Sequence, residues 1–310
     1  MKTAIRHTVS AFVALISLAA IGCSEKGDPS PDINPPIIEG PSADDTLDIP
    51  DDIGVLGDSI MYTRAFPLSE YTIKAVSVNT TQNGHIAVLG GYRNQSAVHV
   101  FAKIEDDRKD LGDMRIKSIL DKYYDVEYEV SGEKIVVGVR EKIGVPHGED
   151  YRDLRISVKV YVPQNVSTTL SIGRGSIIAK NVRGNSHCAE STSGAIKYLN
   201  SFGNSLTVTS QTGYVGLINT TAVEYMQAGI SKGSIQIALP KSAGADLKLE
   251  SSANVNAHIL NNSNFSGINT RTRVEGKLNG GGFSLAATGN LGAVNLRWYN
   301  GGQDDDWNFN

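Results

Sequence analysis

The chain has 310 residues, 20% of them charged, and a formal net charge of -4 at pH 7. The balance stays acidic, at -6, if residues 1–22, which include Lys2 and Arg6, are removed. This mild acidity argues against nucleic-acid binding and against a polybasic membrane-surface patch, because both require an excess of clustered cations.

The N-terminus predicts a lipoprotein signal peptide. A basic start precedes an apolar run, residues 11–21, that is too short to span a bilayer of about 30 Å but fits a signal-peptide core. Small residues then lead to a lone cysteine, Cys23. This stretch resembles the bacterial lipobox, although Ala20 stands where that motif prefers Leu, and the resemblance implies cleavage after residue 22 and acylation of Cys23. The alternative is ordinary secretion with cleavage nearby.

Cys188 is the only other cysteine of the chain, so we expect it to be a free thiol if Cys23 carries lipid. A catalytic thiol needs a basic partner, and the adjacent His187 points to the opposite face if both residues lie on a strand. We therefore expect Cys188 to be a small buried or half-buried strand residue. His187 is expected to be a core histidine rather than a ligand.

A repeat of about 20 residues is the main signal in the chain. Turn-then-strand units begin at Gly175, Gly194, Gly213, Gly233 and Ala253, so the steps are 19, 19, 20 and 20 residues. A fixed period of this length is the signature of repeat architectures. A second turn recurs at two further glycines, at positions 184 and 203, again 19 residues apart.

Apolar residues follow each turn at fixed positions. Two and four residues after each start they form two columns: Ile177, Ile196, Val215, Ile235, Val255 and Ala179, Tyr198, Leu217, Ile237, Ala257. Upstream of each turn a second pair recurs: Thr168/Leu170, His187/Ala189, Leu206/Val208, Met226/Ala228 and, with a one-residue slip, Leu247/Leu249. Each unit thus supplies two short strands whose alternate side chains face one interior, and such units bury their apolar faces only when stacked. The predicted fold is all-β, a parallel β-solenoid (β-helix) with about 19–21 residues per rung.

The rest of the chain is organised around this repeat. Residues 23–50 are rich in Pro, Asp, Ser and Gly and predict a disordered tether after the 1–22 signal peptide. Residues 51–310 are expected to form a single domain with its main repeats at 166–300. Units at Gly84-His-Ile-Ala-Val and Gly292-Ala-Val-Asn-Leu are expected to be outer rungs. Residues 97–165 break the pattern and predict antiparallel hairpins with a short helical or irregular insertion, covering one side or end of the solenoid.

Three features in this order resemble the bacterial putative-adhesin family, a domain of formerly unknown function related to auto-transporter adhesin heads. They are residues 76–88, residues 156–163, and the Gly-x-Ile/Val rungs that end in Ala238-Leu-Pro240. The resemblance covers about residues 70–300. It implies a β-helical fold with secretion or surface attachment, and it brings no catalytic residues with it.

An enzyme is the less favoured alternative. Between residues 166 and 300 the carboxylates are Glu190, Glu224, Asp246, Glu250 and Glu275, and no two occupy the same place in adjacent repeats. A retaining glycosidase needs two carboxyl groups about 5 Å apart, so no such pair is evident, although loops could still bring two together. The sequence holds no common metal or nucleophile motif, and we predict no cofactor and no metal. The run Asp304–Asp306 could attract calcium, but a solvated tail is favoured because consecutive side chains diverge.

What remains is a polar outer surface that could bind a glycan or a protein. Its small polar residues are Ser191 to Ser193, Thr207, Thr209, Asn219 to Thr221, Asn254, Asn256 and Asn261 to Asn264. Exposed aromatic rings would favour a glycan, because sugar faces stack on rings, and the candidates are Tyr214, Tyr225, Trp298 and Tyr299. The alternative is that these residues are solvated turns and ladders.

We therefore predict a non-catalytic envelope protein, anchored in the bacterial outer membrane by lipid on Cys23, that presents a repetitive surface for cell adhesion. It would face the cell surface or the periplasm. The ligand would be a glycan, a matrix component or another protein, and not a nucleic acid. A second hypothesis is a periplasm-facing structural or stress-sensing protein, and a third is a polysaccharide-active enzyme.

Overall fold

The structure is a computed structural model that describes residues 59–104, 112–149 and 151–301. In chain order its strands are β1 (Ser59–Pro67), β2 (Ala75–Gly90), β3 (Gln95–Ile104), β4 (Tyr124–Ser131), β5 (Lys134–Glu141), β6 (Leu154–Val162), β7 (Ser167–Lys180), β8 (Ser186–Leu199), β9 (Phe202–Ile218), β10 (Thr221–Leu239), β11 (Ala245–Ser251), β12 (Val255–Asn256), β13 (Phe265–Asn269), β14 (Arg273–Leu278), β15 (Phe283–Leu291) and β16 (Val294–Trp298). Helix α1 (Asp113–Tyr123) lies between β3 and β4, and a short 3-10 helix (His258–Asn262) follows β12. The all-β prediction is confirmed. Within the described ranges the strands belong to one open, mixed sheet.

The repeat sets the register of the central strands, which lie side by side in parallel in the order β2, β7, β8, β9, β10. Ile177 pairs with Ile196, Ile196 with Val215, and Val215 with Ile235. All four side chains are fully buried. The first predicted column is therefore a ladder of direct neighbours, each about 4.8 Å from the next.

Each of the strands β7 to β10 turns at a glycine, which divides it into a first arm and a second arm. The first arms are residues 167–172, 186–191, 205–210 and 225–230, and the second arms are 176–180, 195–199, 214–218 and 234–239. At this turn Gly194 has a φ of 135°, and a Cβ on it would lie 1.6 Å from the carbonyl oxygen of Gly175. The regular spacing of the glycines is therefore a packing requirement of stacked turns.

The other levels of the sheet divide in the same way. Strands β5, β15 and β11 supply first arms, and β6, β16 and β12 supply second arms. Strand β2 carries both arms and pairs with β5 and β6 on one side and with β7 on the other. The sequence predicted an outer rung for the early unit at Gly84, but β5 and β6 lie beyond it, so it is not the outermost level.

The unit at Gly292 is also not an outer rung, and that expectation was wrong. Strands β15 and β16 lie between β10 and the pair β11–β12, because Val294 pairs with Ile235 on one side and with Val255 on the other. The chain leaves β10, skips one level to form β11 and β12, and returns to fill the gap. Every unit carries the same two apolar columns, so the columns do not specify the order in which the units stack.

Antiparallel strands lie at both ends of the parallel stack. At one end β3 pairs with β6 and β1 pairs with β3, while β4 pairs with β5. At the other end β14 pairs with β11 and β13 pairs with β14. These strands satisfy edges that would otherwise invite pairing with another chain. Within the part of the chain that the structure describes, no helix is both long and apolar enough to cross a membrane.

Candidate ligand-binding face

A half-buried polar face lies on the outer side of the second arms. The third residue after each turn glycine alternates with the buried columns and so points away from the core. Reading across the strands, these positions hold Ile178, Lys197, Gly216, Gln236, Asn295 and Asn256. We use the name tyrosine–amide face for the following set: Lys197, Tyr214, Gln236, Asn256, Asn295 and Arg297.

The ring of Tyr214 folds over Gly216 on its own strand. A Cβ built on Gly216 would lie 2.8 Å from Cε1 of the ring, so only glycine leaves room for the ring at this level. On the neighbouring strand the Nζ of Lys197 lies 5.9 Å from the ring centroid, which is within the range of a cation–π contact. The ring is thus held against the sheet beside a cation.

Hydrogen bonds fix the other side of Tyr214 across three strands. The amide nitrogen of Gln236 donates to the phenol oxygen at 2.8 Å, and its amide oxygen accepts from Nε and Nη2 of Arg297, both at 2.7 Å. Arginine has donors only, so the amide oxygen must face it. The phenol, the amide and the guanidinium therefore form one ordered row.

Asparagine side chains continue this row toward the last parallel level. Nδ2 of Asn256 donates to Oδ1 of Asn295 at 2.7 Å, and Nδ2 of Asn254 donates to Oδ1 of Asn256 at 2.6 Å. The face combines an aromatic ring, side-chain amides that donate and accept, and two cations. Such a combination suits a sugar, which offers an apolar ring face and a rim of hydroxyl groups.

The structure brings together only part of the polar surface expected from the sequence. Asn256 belongs to the tyrosine–amide face and accepts from Asn254, whereas Thr207 and Thr209 lie on the outer side of a first arm. Ser191 and Thr220 are buried, which corrects their assignment to the surface. The expectation failed because a polar residue type does not reveal the face on which it lies.

The four candidate aromatic residues have different environments. Tyr214 lies over the sheet at the polar face, and Tyr225 is 40% exposed on a first arm. Trp298 packs against the main core, while Tyr299 packs against a small apolar group on the outer side: Leu199, Ile218 and Ala238. Tyr214 is therefore the aromatic residue that meets the amide row.

Sequence reasoning did not single out Lys197, Gln236, Asn295 or Arg297. The signal was present, because three of these residues occupy the third position after a turn glycine, midway between the two apolar columns. A second missed feature is an asparagine at the corner that follows the second arm of β7, β8 and β9. Asn181, Asn200 and Asn219 have φ values of 55°, 48° and 48°, and Nδ2 of Asn219 donates to Oδ1 of Asn200 at 2.8 Å. Their 19-residue spacing was also visible in the sequence.

His187 is a core histidine, as predicted. Its Nε2 lies 3.0 Å from the carbonyl oxygen of Phe202 and therefore donates, so Nδ1 accepts from the hydroxyl of Thr168 at 3.1 Å. That hydroxyl in turn lies 2.9 Å from the phenol of Tyr198. Burial lowers the pKa of His187 to about 4, and this network suits the neutral ring.

Cys188 lies on β8 with 9% of its surface exposed, which agrees with the expected buried strand residue. In the structure Cys188 is disulfide-bonded, so the free thiol, which was expected only if Cys23 carries lipid, is not observed. The only other cysteine of the sequence is Cys23, the predicted lipidation site, which lies outside the described residues. A thioether to lipid and a disulfide both use the sulfur atom, so one cysteine cannot carry both.

The carboxylates of the repeat region are engaged with cations where they meet. Glu250 and Glu275 lie on adjacent antiparallel strands, and both pair with Arg273. Asp246 lies opposite Lys277 in the same pair of strands. The run Asp304–Asp306 falls outside the described residues. Among the residues described, no group of three or more His, Cys, Asp or Glu side chains is placed to hold a metal ion.

No protein-family model matches the chain, and no curated protein is similar to it. A putative cell adhesion protein from Clostridium sporogenes is similar over 76% of this chain and 98% of its own, with 13% identity and a TM-score of 0.45. A putative adhesin from Bacteroides fragilis covers 78% and 98%, with 9% identity and a TM-score of 0.27. A putative lipid binding protein from Parabacteroides distasonis covers 76% and 96%, with 9% identity and a TM-score of 0.24. At these values the similarities neither place the chain in a family nor assign it a role.

Proposed function

We propose that the chain is a non-catalytic, lipid-anchored envelope protein whose β-solenoid binds a glycan at the tyrosine–amide face and so serves adhesion. The observation that carries the proposal is the ring of Tyr214, held over Gly216 beside a row of amides. A ring presented this way offers a stacking surface, and the amides of Gln236 and Asn295 offer hydrogen bonds to hydroxyl groups. The preordered row would lose little side-chain entropy on binding.

The solenoid part of the proposal is supported by the register of the sheet. Units 19 or 20 residues apart pair in parallel, residue by residue, over both arms of β7 to β10. Such pairing between consecutive units is what a winding chain produces, and it repeats the same outer position at every level. A ligand that runs across the strands would therefore meet equivalent positions at regular intervals.

The non-catalytic part rests on how the charged groups are used. The Arg273 guanidinium bridges Glu250 and Glu275, so these two carboxylates compensate a cation. The tyrosine–amide face is built from amides, a phenol and cations, which bind hydroxyl groups but offer no carboxylate for acid–base work on a glycosidic bond. A release assay for reducing ends on the glycans that bind would detect turnover and contradict this part.

Binding at the face is tested with purified full-length protein in detergent micelles on a glycan array. Tyr214→Ala should weaken binding about tenfold, because the stacking surface is lost. Gly216→Ala keeps the ring but places a Cβ 2.8 Å from its original position, so it should also weaken binding. Tyr225→Ala removes an exposed tyrosine from a first arm and is the matched control. Equal binding by all four proteins would contradict the proposed face.

Anchoring is tested by fractionation and protease shaving of cells that express the wild type or Cys23→Ala. A membrane-bound, shaved wild type and a released variant would support a surface lipoprotein. A membrane-bound but protected wild type would favour the periplasm-facing structural or sensing role instead. Mass spectrometry of the mature N-terminal peptide separates lipid on Cys23 from a disulfide to Cys188, since the two modifications exclude each other.

A further inference from the structure

The second arms of the sheet carry cations and no carboxylate. The second arms are residues 85–90, 157–162, 176–180, 195–199, 214–218, 234–239, 255–256 and 294–298. They carry the cations Lys159, Lys180, Lys197 and Arg297 and hold no Asp or Glu. First arms hold carboxylates, at Glu190, Asp246 and Glu250, together with cations at Lys134 and Lys248. In a chain whose net charge is -4, this distribution makes the second arms a local cationic surface.

Two of these cations, Lys197 and Arg297, belong to the tyrosine–amide face, and a third, Lys180, lies on the next strand in register with Leu199. Lys197 lies beside the ring of Tyr214, and Arg297 lies on its other side, joined through Gln236. All three side chains are half-buried, whereas Lys159 is 1% exposed and out of reach of a ligand.

The spacing of the cations sets the length of the ligand. Lys197 is on β8 and Arg297 on β16, with β9 and β10 between them. Three strand spacings correspond to about 14 Å, which is longer than one sugar ring. A ligand that stacks on Tyr214 and reaches both cations must therefore be an oligomer with acidic groups on more than one unit.

We infer that the ligand of this face is an acidic polysaccharide that runs across the strands. Its sugar rings would stack on Tyr214, and its carboxylate or sulfate groups would pair with Lys180, Lys197 and Arg297. An arginine favours this chemistry because its guanidinium stays charged over the whole pH range of interest, although Nε and Nη2 of Arg297 already donate to Gln236. The inference rests on the proposed function and names the ligand class for the same face.

The test uses two matched pairs of polymers that differ in charge: polygalacturonate against its methyl ester, and dextran sulfate against dextran. Wild-type full-length protein in micelles should bind the charged member of at least one pair, more weakly as salt increases. The variant Lys180→Gln/Lys197→Gln/Arg297→Gln should lose about tenfold in affinity. Lys241→Gln/Lys248→Gln/Lys277→Gln, which changes the net charge equally at exposed sites elsewhere, should bind as the wild type does, and thermal unfolding confirms that each variant folds.

Equal binding of charged and neutral polymers, or equal loss in both triple variants, would overturn the inference. So would single-stranded DNA that binds as tightly as the acidic polymers, because the face would then be a general polyanion surface. If neutral glycans bind and Tyr214→Ala abolishes that binding, the inference fails while the proposed function stands. If Tyr214→Ala changes the binding of no glycan, charged or neutral, the proposed function itself fails.

Discussion

The titration of His187 should make the protein less stable in mildly acidic solution. The folded imidazole has a pKa of about 4, because burial disfavours its charged form, whereas an exposed imidazole has a pKa near 6.5. Between these two values the unfolded chain binds a proton at this ring and the folded chain does not. Stability therefore decreases as the pH falls from about 6.5 to about 4.

The size of the effect follows from the two pKa values. One pKa unit corresponds to about 1.4 kcal/mol, and a change from pH 7 to pH 5 crosses about 1.5 units of the window. The expected loss in the free energy of unfolding is therefore about 2 kcal/mol from this one residue. Replacing His187 with Gln removes the titration, because an amide stays neutral over this range.

Urea unfolding at pH 7 and pH 5 measures the loss in the wild type and in His187→Gln. The wild type should lose about 2 kcal/mol more than the variant over this interval. The pKa of His99 is also lowered, by burial and by Lys159, but its contribution is the same in both proteins and cancels. Tyr198→Phe keeps the imidazole and should follow the wild type. If the wild type and His187→Gln depend equally on pH, the reasoning is refuted.

Two further predictions compare matched substitutions. Gly194→Ala should lower the free energy of unfolding by several kcal/mol, because its Cβ would lie 1.6 Å from a backbone oxygen. Gly132→Ala is also at positive φ but has open space around it, so it should cost only about 1–2 kcal/mol. Equal urea midpoints would contradict the stacking of the turns. Ile235→Ala should lower the free energy of unfolding by about 2–5 kcal/mol, because this ladder residue is fully buried. Ile268→Ala changes a side chain that is 51% exposed and should alter stability little. A similar cost for both would mean that the ladder is not the core.

The parts of the fold that follow from local chemistry could be predicted from the sequence. The turn at Gly194 and the buried Ile196 two residues later define the arm, its inward face and its register against the next unit. The placement of His187 followed from the same alternation. These predictions succeeded because a strand has a period of two, so one known inward residue determines the direction of its neighbours.

The candidate site was harder to predict because it depends on which units are neighbours. Arg297 reaches Gln236 only because β16 lies next to β10, although the two residues are 61 positions apart in the sequence (297 − 236). The same insertion brings Asn295 to Asn256. Contacts of this kind depend on the stacking order, which a repeated apolar pattern does not encode.

The inserted level leads to a prediction in which the smaller deletion does more harm. A chain that ends at Leu239 loses β11 to β16 and leaves β10 as its one new edge. A chain that ends at Gly282 keeps β11 to β14 but loses the level between them and β10, so β11 retains only β14 as a partner. Limited proteolysis should therefore remove residues beyond about 240 from the longer chain and leave the repeats of the shorter one intact. If levels stacked in chain order, the longer chain would be the more resistant, and that result would contradict the insertion of β15 and β16.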